Sequence, residues 1–73
     1  MQLVSVVGTG QVNVNGEEIL SLSRGSYEIK LYRIGKSYCL VFKDGVRFEF
    51  VVDTSKTTLI EKVEEYKKIA KIE

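Results

Sequence analysis

Tyr27–Val52 reads YEIKLYRIGKSYCLVFKDGVRFEFVV, and the fold turns on where its chain reversals are placed. Lys43-Asp44-Gly45-Val46 sets an Asp-Gly pair between two alternating apolar runs. Asp-Gly supplies the two positive-φ positions of a type I′ hairpin turn. With Asp44 and Gly45 as the loop, Lys43 faces Val46, Val41 faces Phe48 and Cys39 faces Phe50, while Phe42, Leu40 and Tyr38 meet Arg47, Glu49 and Val51 on the other side. The preceding reversal has two competing registers, and a one-residue slip flips a whole strand. A Gly35-Lys36 loop puts Lys30 beside Val41 and mixes charge into the apolar face. An Arg33-Ile34-Gly35 loop instead unites Tyr27, Ile29 and Leu31 with Cys39, Val41, Phe48, Phe50 and Val52, and is preferred because it makes one continuous apolar surface.

Upstream, Met1–Val7 reads as a first strand ended by Gly8-Thr9-Gly10. Asn15-Gly16 signals a small hairpin over Gln11–Leu22 in which Val12 opposes Ile19. Ser21–Ser26 reads as a polar loop. Downstream, Asp53–Thr58 is a run of N-cap candidates. Thr58 with Glu61 fits a capping box, and Asp53 or Ser55 would start the helix a turn earlier. Leu59, Val63, Tyr66 and Ala70 then recur at helical spacing, and Glu64 can pair with Lys68. The expected fold is α+β and mainly antiparallel β, with about five to six short strands forming an SH3-like barrel or a curved sheet, and one C-terminal α-helix over about 55–71. The helix is expected on the Cys39/Val41/Phe48/Phe50 face. The 73 residues are read as a single domain, 1–73, with a strand and hairpin in 1–22 and a three-stranded meander in 27–52.

Inventory removes several classes of chemistry. With no histidine and one cysteine, the chain offers no zinc site and no Ser-His or Cys-His pairing, so no metal, no cofactor and no enzyme activity is expected. Glu17 and Glu18 sit beside a turn, and Glu61, Glu64 and Glu65 lie on a helix face, so no convergent acid/base pair is legible. Cys39 cannot form an internal disulfide, and on a core face a thiol behaves as a small hydrophobe. No apolar run approaches a membrane span and no signal-peptide pattern is present, so a cytoplasmic protein with no membrane partner is expected. The lack of His, Pro and Trp beside many Lys, Glu, Ile and Val suits a thermophile.

Net charge is +1 but uneven: residues 1–23 carry −2, residues 24–47 carry +4, and the remainder −1. In the expected register, Lys30, Tyr32, Tyr38, Phe42 and Arg47 project from one face of the meander, with Arg33 and Lys36 at the adjoining turn. Aromatics for base stacking interleaved with cations for phosphates make a candidate nucleic-acid surface, for single- or double-stranded partners. The structural alternative is that Tyr32, Tyr38, Leu40, Phe42 and Val51 form a second core face with Lys and Arg stems running outward. A protein-interaction or structural module acting as a homodimer, through a strand edge or the Tyr38/Leu40/Phe42 surface, is the competing function.

VSVVGTGQVNV, residues 4–14, resembles the opening of a dinucleotide-binding fold, but Asn13 stands at the third glycine position and a hairpin signal follows where a helix should start. The order of small hairpin, meander and terminal helix resembles three families: small archaeal chromatin proteins with an SH3-like barrel, single-strand-binding transcriptional coactivators with a curved four-stranded sheet, and pleckstrin-homology-type sandwiches. The first two imply nucleic-acid binding through the sheet, and the second also implies dimers. The resemblance covers element order alone, and the near-zero net charge departs from the strongly basic chromatin proteins.

Overall fold

The computed structural model describes residues 4–6 and 12–72. Strands β1 (Val4–Val6) and β2 (Val12–Val14) pair with each other. Strands β3 (Glu17–Arg24), β4 (Tyr27–Ile34), β5 (Ser37–Asp44) and β6 (Arg47–Asp53) follow as an antiparallel meander in spatial order β3-β4-β5-β6, and helix α1 (Lys56–Ala70) closes the chain. The layout is α+β with a C-terminal helix. The sheet has four strands, fewer than the five to six expected, and it does not close into a barrel.

All three meander turns are two-residue loops that begin with glycine: Gly25-Ser26, Gly35-Lys36 and Gly45-Val46. Each glycine has φ near +60°, and the residue after it does not, which is the type II′ pattern with glycine first. The expected Asp44-Gly45 loop is therefore displaced: Asp44 pairs with Arg47, and Lys43 with Phe48. That offset of two residues preserves faces. The expected Arg33-Ile34-Gly35 loop is replaced by Gly35-Lys36, with Ile34 paired to Ser37. This offset is odd, so β4 turns over relative to β5, and Lys30 does stand beside Val41. The charge is tolerated because the Lys30 ammonium reaches two carboxylates, Glu18 at 3.5 Å and Glu28 at 3.3 Å, at the surface.

The turned register unites Leu20, Leu22, Tyr27, Ile29, Leu31, Tyr38, Leu40, Phe42 and Val51 on one face, and α1 packs there with Leu59 and Val63. The helix thus covers the face opposite to the one expected. Phe42 is the centre of an aromatic stack, 4.3 Å from the Tyr66 ring and 6.0 Å from the Tyr27 ring, with both pairs near parallel. Ser55 caps α1 by accepting from the Thr58 N–H at 3.3 Å, and Asp53 accepts from the Ser55 N–H at 2.7 Å, so the helix begins a turn before the Thr58 capping box. Its far end stops at Lys71, left-handed at φ 57°, whose carbonyl accepts from the Arg24 guanidinium while Ile72 folds back onto the core. On the helix, Glu64 pairs with Lys67 at 3.7 Å rather than with Lys68.

The other face holds Tyr32, Ile34, Cys39 and Val41, against which Val14 packs. β5 is consequently buried on both sides, and Cys39–Phe42 forms an unbroken apolar run. Two further expectations give way. Ser21–Ser26 is the end of β3 and a turn rather than a loop, its serines alternating with Leu20 and Leu22. Val12 does not oppose Ile19, since Val12–Val14 pairs with Val4–Val6 and Ile19 sits at a bulge between Glu18 and Leu20. The expected Gly8-Thr9-Gly10 strand end lies outside the described residues.

Candidate functional site: the β6 edge

The seven residues expected to form a nucleic-acid surface are divided between the two sides of the sheet. Lys30 and Tyr32 lie on the face away from α1. Lys30 is held charged by the carboxylates beside it, the Glu28 hydrogen bond foremost, and its pKa is raised. Burial pushes the Tyr32 hydroxyl up as its ring packs on Ile34, Cys39 and Val41. Arg33, Tyr38, Phe42 and Arg47 share the helix side. Of these, Arg33 donates to Glu17 at 2.8 Å, Tyr38 packs against the core and Phe42 is buried within it. Lys36 is the second residue of its turn and is exposed. The expected shared face, with Lys30, Tyr32, Tyr38, Phe42 and Arg47 together, is not formed, because the odd register offset separates β4 residues from their supposed neighbours on β5 and β6.

Sequence reasoning missed a different cluster. Phe48, Phe50 and Val52 alternate along β6 on the face away from α1. Their alternation alone reads as a helix-covered core. Instead Phe50 is 44% exposed, Val52 54% and Val46, in the adjoining turn, 83%. The Phe48 and Phe50 rings lie nearly parallel with centroids 6.3 Å apart. A groove of about 520 Å³ at the start of the strand is lined by Phe42, Asp44, Val46, Arg47, Phe48 and Glu49.

The strand itself is an edge. Among the described residues, β6 pairs on one side only, with β5. Edge strands expose a row of unpaired N–H and C=O groups, which bulges, prolines, lysines or covering segments usually blunt. The opposite edge, β3, is blunted by its bulge at Ile19 and by outward serines. β6 has neither bulge, proline nor lysine along its seven residues, and its three charges, Arg47, Glu49 and Asp53, all lie on the helix side, leaving the other face apolar. The clue available in the sequence is position: the last strand of an open meander is an edge, so its alternating Phe48, Phe50 and Val52 need not be core.

What this surface offers is apolar area beside main-chain hydrogen-bonding groups. Cys39, the free thiol, is fully buried behind it and burial pushes its pKa up, which removes it from nucleophilic use. Glu49 accepts from the Tyr66 hydroxyl at 3.1 Å, tying β6 to α1, and burial raises the Tyr66 pKa with Glu49 adding to the shift. Among the described residues, no cluster of His, Cys, Asp or Glu is arranged to hold a metal, and no helix is long and apolar enough to cross a membrane. Comparison with known proteins finds no matching family model, no matching curated protein and no matching solved structure.

Proposed function

We propose that this chain is a small non-enzymatic protein-interaction module that works by accepting an additional strand at the β6 edge. The observation that carries this reading is the coincidence, on one edge without bulge, proline or lysine, of backbone groups unpaired among the described residues with an alternating apolar stripe in which Phe50 and Val52 are exposed and Phe48 is half-buried. Strand addition needs both: main-chain hydrogen bonds supply affinity, and alternate side chains supply specificity. Exposed apolar stripes of this kind mark interaction sites.

Nucleic-acid binding through the meander draws less support from the same geometry. Tyr38 and Phe42 lie beneath α1, and two of the expected phosphate contacts, Lys30 and Arg33, have carboxylate partners. That leaves Lys36 and Arg47 with no adjacent exposed stacking platform among the residues first expected.

The test is cross-linking of the chain in a cell extract, with the chain itself counted among the partners. Phe50→Lys leaves the core untouched, and exposed substitutions of this kind usually change stability by less than about 0.5 kcal/mol. It should nevertheless weaken the captured set by more than about tenfold, the loss expected of a central interface anchor. The same set captured equally by wild type and Phe50→Lys would refute the reading.

A further inference from the structure

Backbone parity and charge along β6 limit which strand could pair with it. Asp44 and Arg47 flank a two-residue turn. Such a pair exchanges both backbone hydrogen bonds, after which bonded and non-bonded pairs alternate along the ladder. Arg47, Glu49, Val51 and Asp53 therefore direct their N–H and C=O groups at β5. Phe48, Phe50 and Val52 direct theirs outward, so an incoming strand must bond to those three.

We infer that the incoming strand is β6 of a second copy of this chain, running antiparallel, with Phe50 facing the partner's Phe50 across a two-fold axis. This rests on the strand-addition reading and names its partner. In this register Phe48 faces the partner's Val52, which joins the two stripes into one six-residue apolar band on the face away from the helices. On the helix side Arg47 faces the partner's Asp53, and symmetry makes that contact twice. Among the described residues Arg47 has no ion-pair partner of its own, and Asp53 uses only its Oδ1 on the Ser55 N–H. A carboxylate has acceptor sites left after one such bond.

The neighbouring registers fail on charge. Backbone parity permits only shifts by two residues. One such shift sets Glu49 against the partner's Glu49, and the other sets it against the partner's Asp53. Like charges directly opposite one another destabilise a ladder. Parallel in-register pairing would set every charge against its own kind. The sequence Arg47-Phe48-Glu49-Phe50-Val51-Val52-Asp53 is thus self-complementary in the one antiparallel register that overlaps all seven residues; a shift by four also sets Arg47 against the partner's Glu49, but pairs only three residues of the strand. The pairing yields a continuous eight-stranded sheet whose outer edges are the two bulged β3 strands, so assembly closes at the dimer.

Sedimentation of wild type, Arg47→Glu, Asp53→Arg and an equimolar mixture of the two variants tests the register. Wild type should be dimeric. Each variant alone places like charges opposite one another at both ends of the interface, and its dimer should be weaker by on the order of ten- to hundredfold. The mixture should recover a dimer near wild-type affinity, because the two reversed charges meet each other and the two original charges meet each other. Asp53→Arg also removes the acceptor for the Ser55 N–H, so a second measurement stands apart from it. Phe50→Cys should oxidise readily to an intermolecular disulfide, since Cα atoms of a hydrogen-bonded pair lie about 5.5 Å apart, within disulfide reach. Phe48→Cys and Val52→Cys should not. Failure of the mixture to associate together with failure of Phe50→Cys to cross-link would overturn the register. A wild type monomeric at millimolar concentration would overturn self-pairing. Strand addition as such falls separately, on Phe50→Lys leaving the extract cross-links unchanged.

Discussion

Phe42→Ala should cost about 3–5 kcal/mol, the usual range for deleting a buried phenyl ring, and so leave much of the chain unfolded in water. The argument is geometric. Phe42 is 9% exposed, sits on the strand buried from both sides and is stacked between Tyr27 and Tyr66, so its removal opens a void at the junction of β4, β5 and α1. A domain this small holds only about 3–5 kcal/mol of net stability from a single core, which one such loss can exhaust. Urea titration followed by circular dichroism, on dilute protein so that association does not contribute, gives the number. Phe42→Leu restores most of the apolar volume and should recover all but the stacking contribution, on the order of 1 kcal/mol. Phe50→Ala is the control: a phenylalanine of the same sheet that is half exposed, it should change stability by less than about 1 kcal/mol. Comparable losses for Phe42→Ala and Phe50→Ala would contradict the packing of α1 on the Phe42 face.

Gly16→Ala should destabilise by roughly 1–3 kcal/mol through overpacking rather than through backbone conformation. A Cβ at Gly16 would lie 2.6 Å from the Arg33 carbonyl oxygen and 2.8 Å from Ile34 Cγ1. The first obstacle is main chain of an interior strand and cannot rotate away. Gly16 has no positive φ, so strain in its own torsions is not the cause. Gly25 reverses the logic: φ is +60° and nothing lies within 4 Å of its Cβ position, so Gly25→Ala costs only the penalty of a positive φ, about 1–3 kcal/mol. Larger side chains separate the two cases. Gly16→Val should be far worse than Gly16→Ala because of volume, whereas enlarging a side chain into open space at Gly25 adds little beyond the φ penalty. Thermal melts of these variants measure this, and a wild-type melting temperature for Gly16→Ala would show that the chain entering β3 does not run against β4.

Much of the fold was legible in the sequence. Alternation in Tyr27–Val52 located three strands, the change of period after Val52 located the helix, and its stripe Leu59, Val63 and Ala70 is the buried one. What failed was register. Asp44-Gly45 looks like a type I′ pair, yet glycine takes the first loop position in all three turns, and the ten-residue recurrence of Gly25, Gly35 and Gly45 was the signal that eight-residue strands alternate with two-residue loops. At Gly45 the resulting offset was even and harmless. At Gly35 it was odd, and it exchanged the two faces of β4. Lys30 beside Val41 is no obstacle to that register, because a lysine stem is long and the carboxylates of Glu18 and Glu28 meet its end. The candidate site inherited that error, since a surface assembled across three strands depends on every register between them. The alternating serines of β3 read as a loop because an edge strand with one solvated side resembles a polar loop in composition.

Amide hydrogen exchange along β6, read residue by residue by NMR at low and high protein concentration, tests most directly that this edge is where the chain pairs. The Arg47, Glu49 and Val51 amides bond to β5 and should be protected at every concentration. Phe48, Phe50 and Val52 amides should exchange rapidly in dilute protein and become protected as concentration rises, converting an alternating pattern into a continuous one. Phe48, Phe50 and Val52 amides that stay unprotected while the protein associates, with new protection arising elsewhere, would contradict the account.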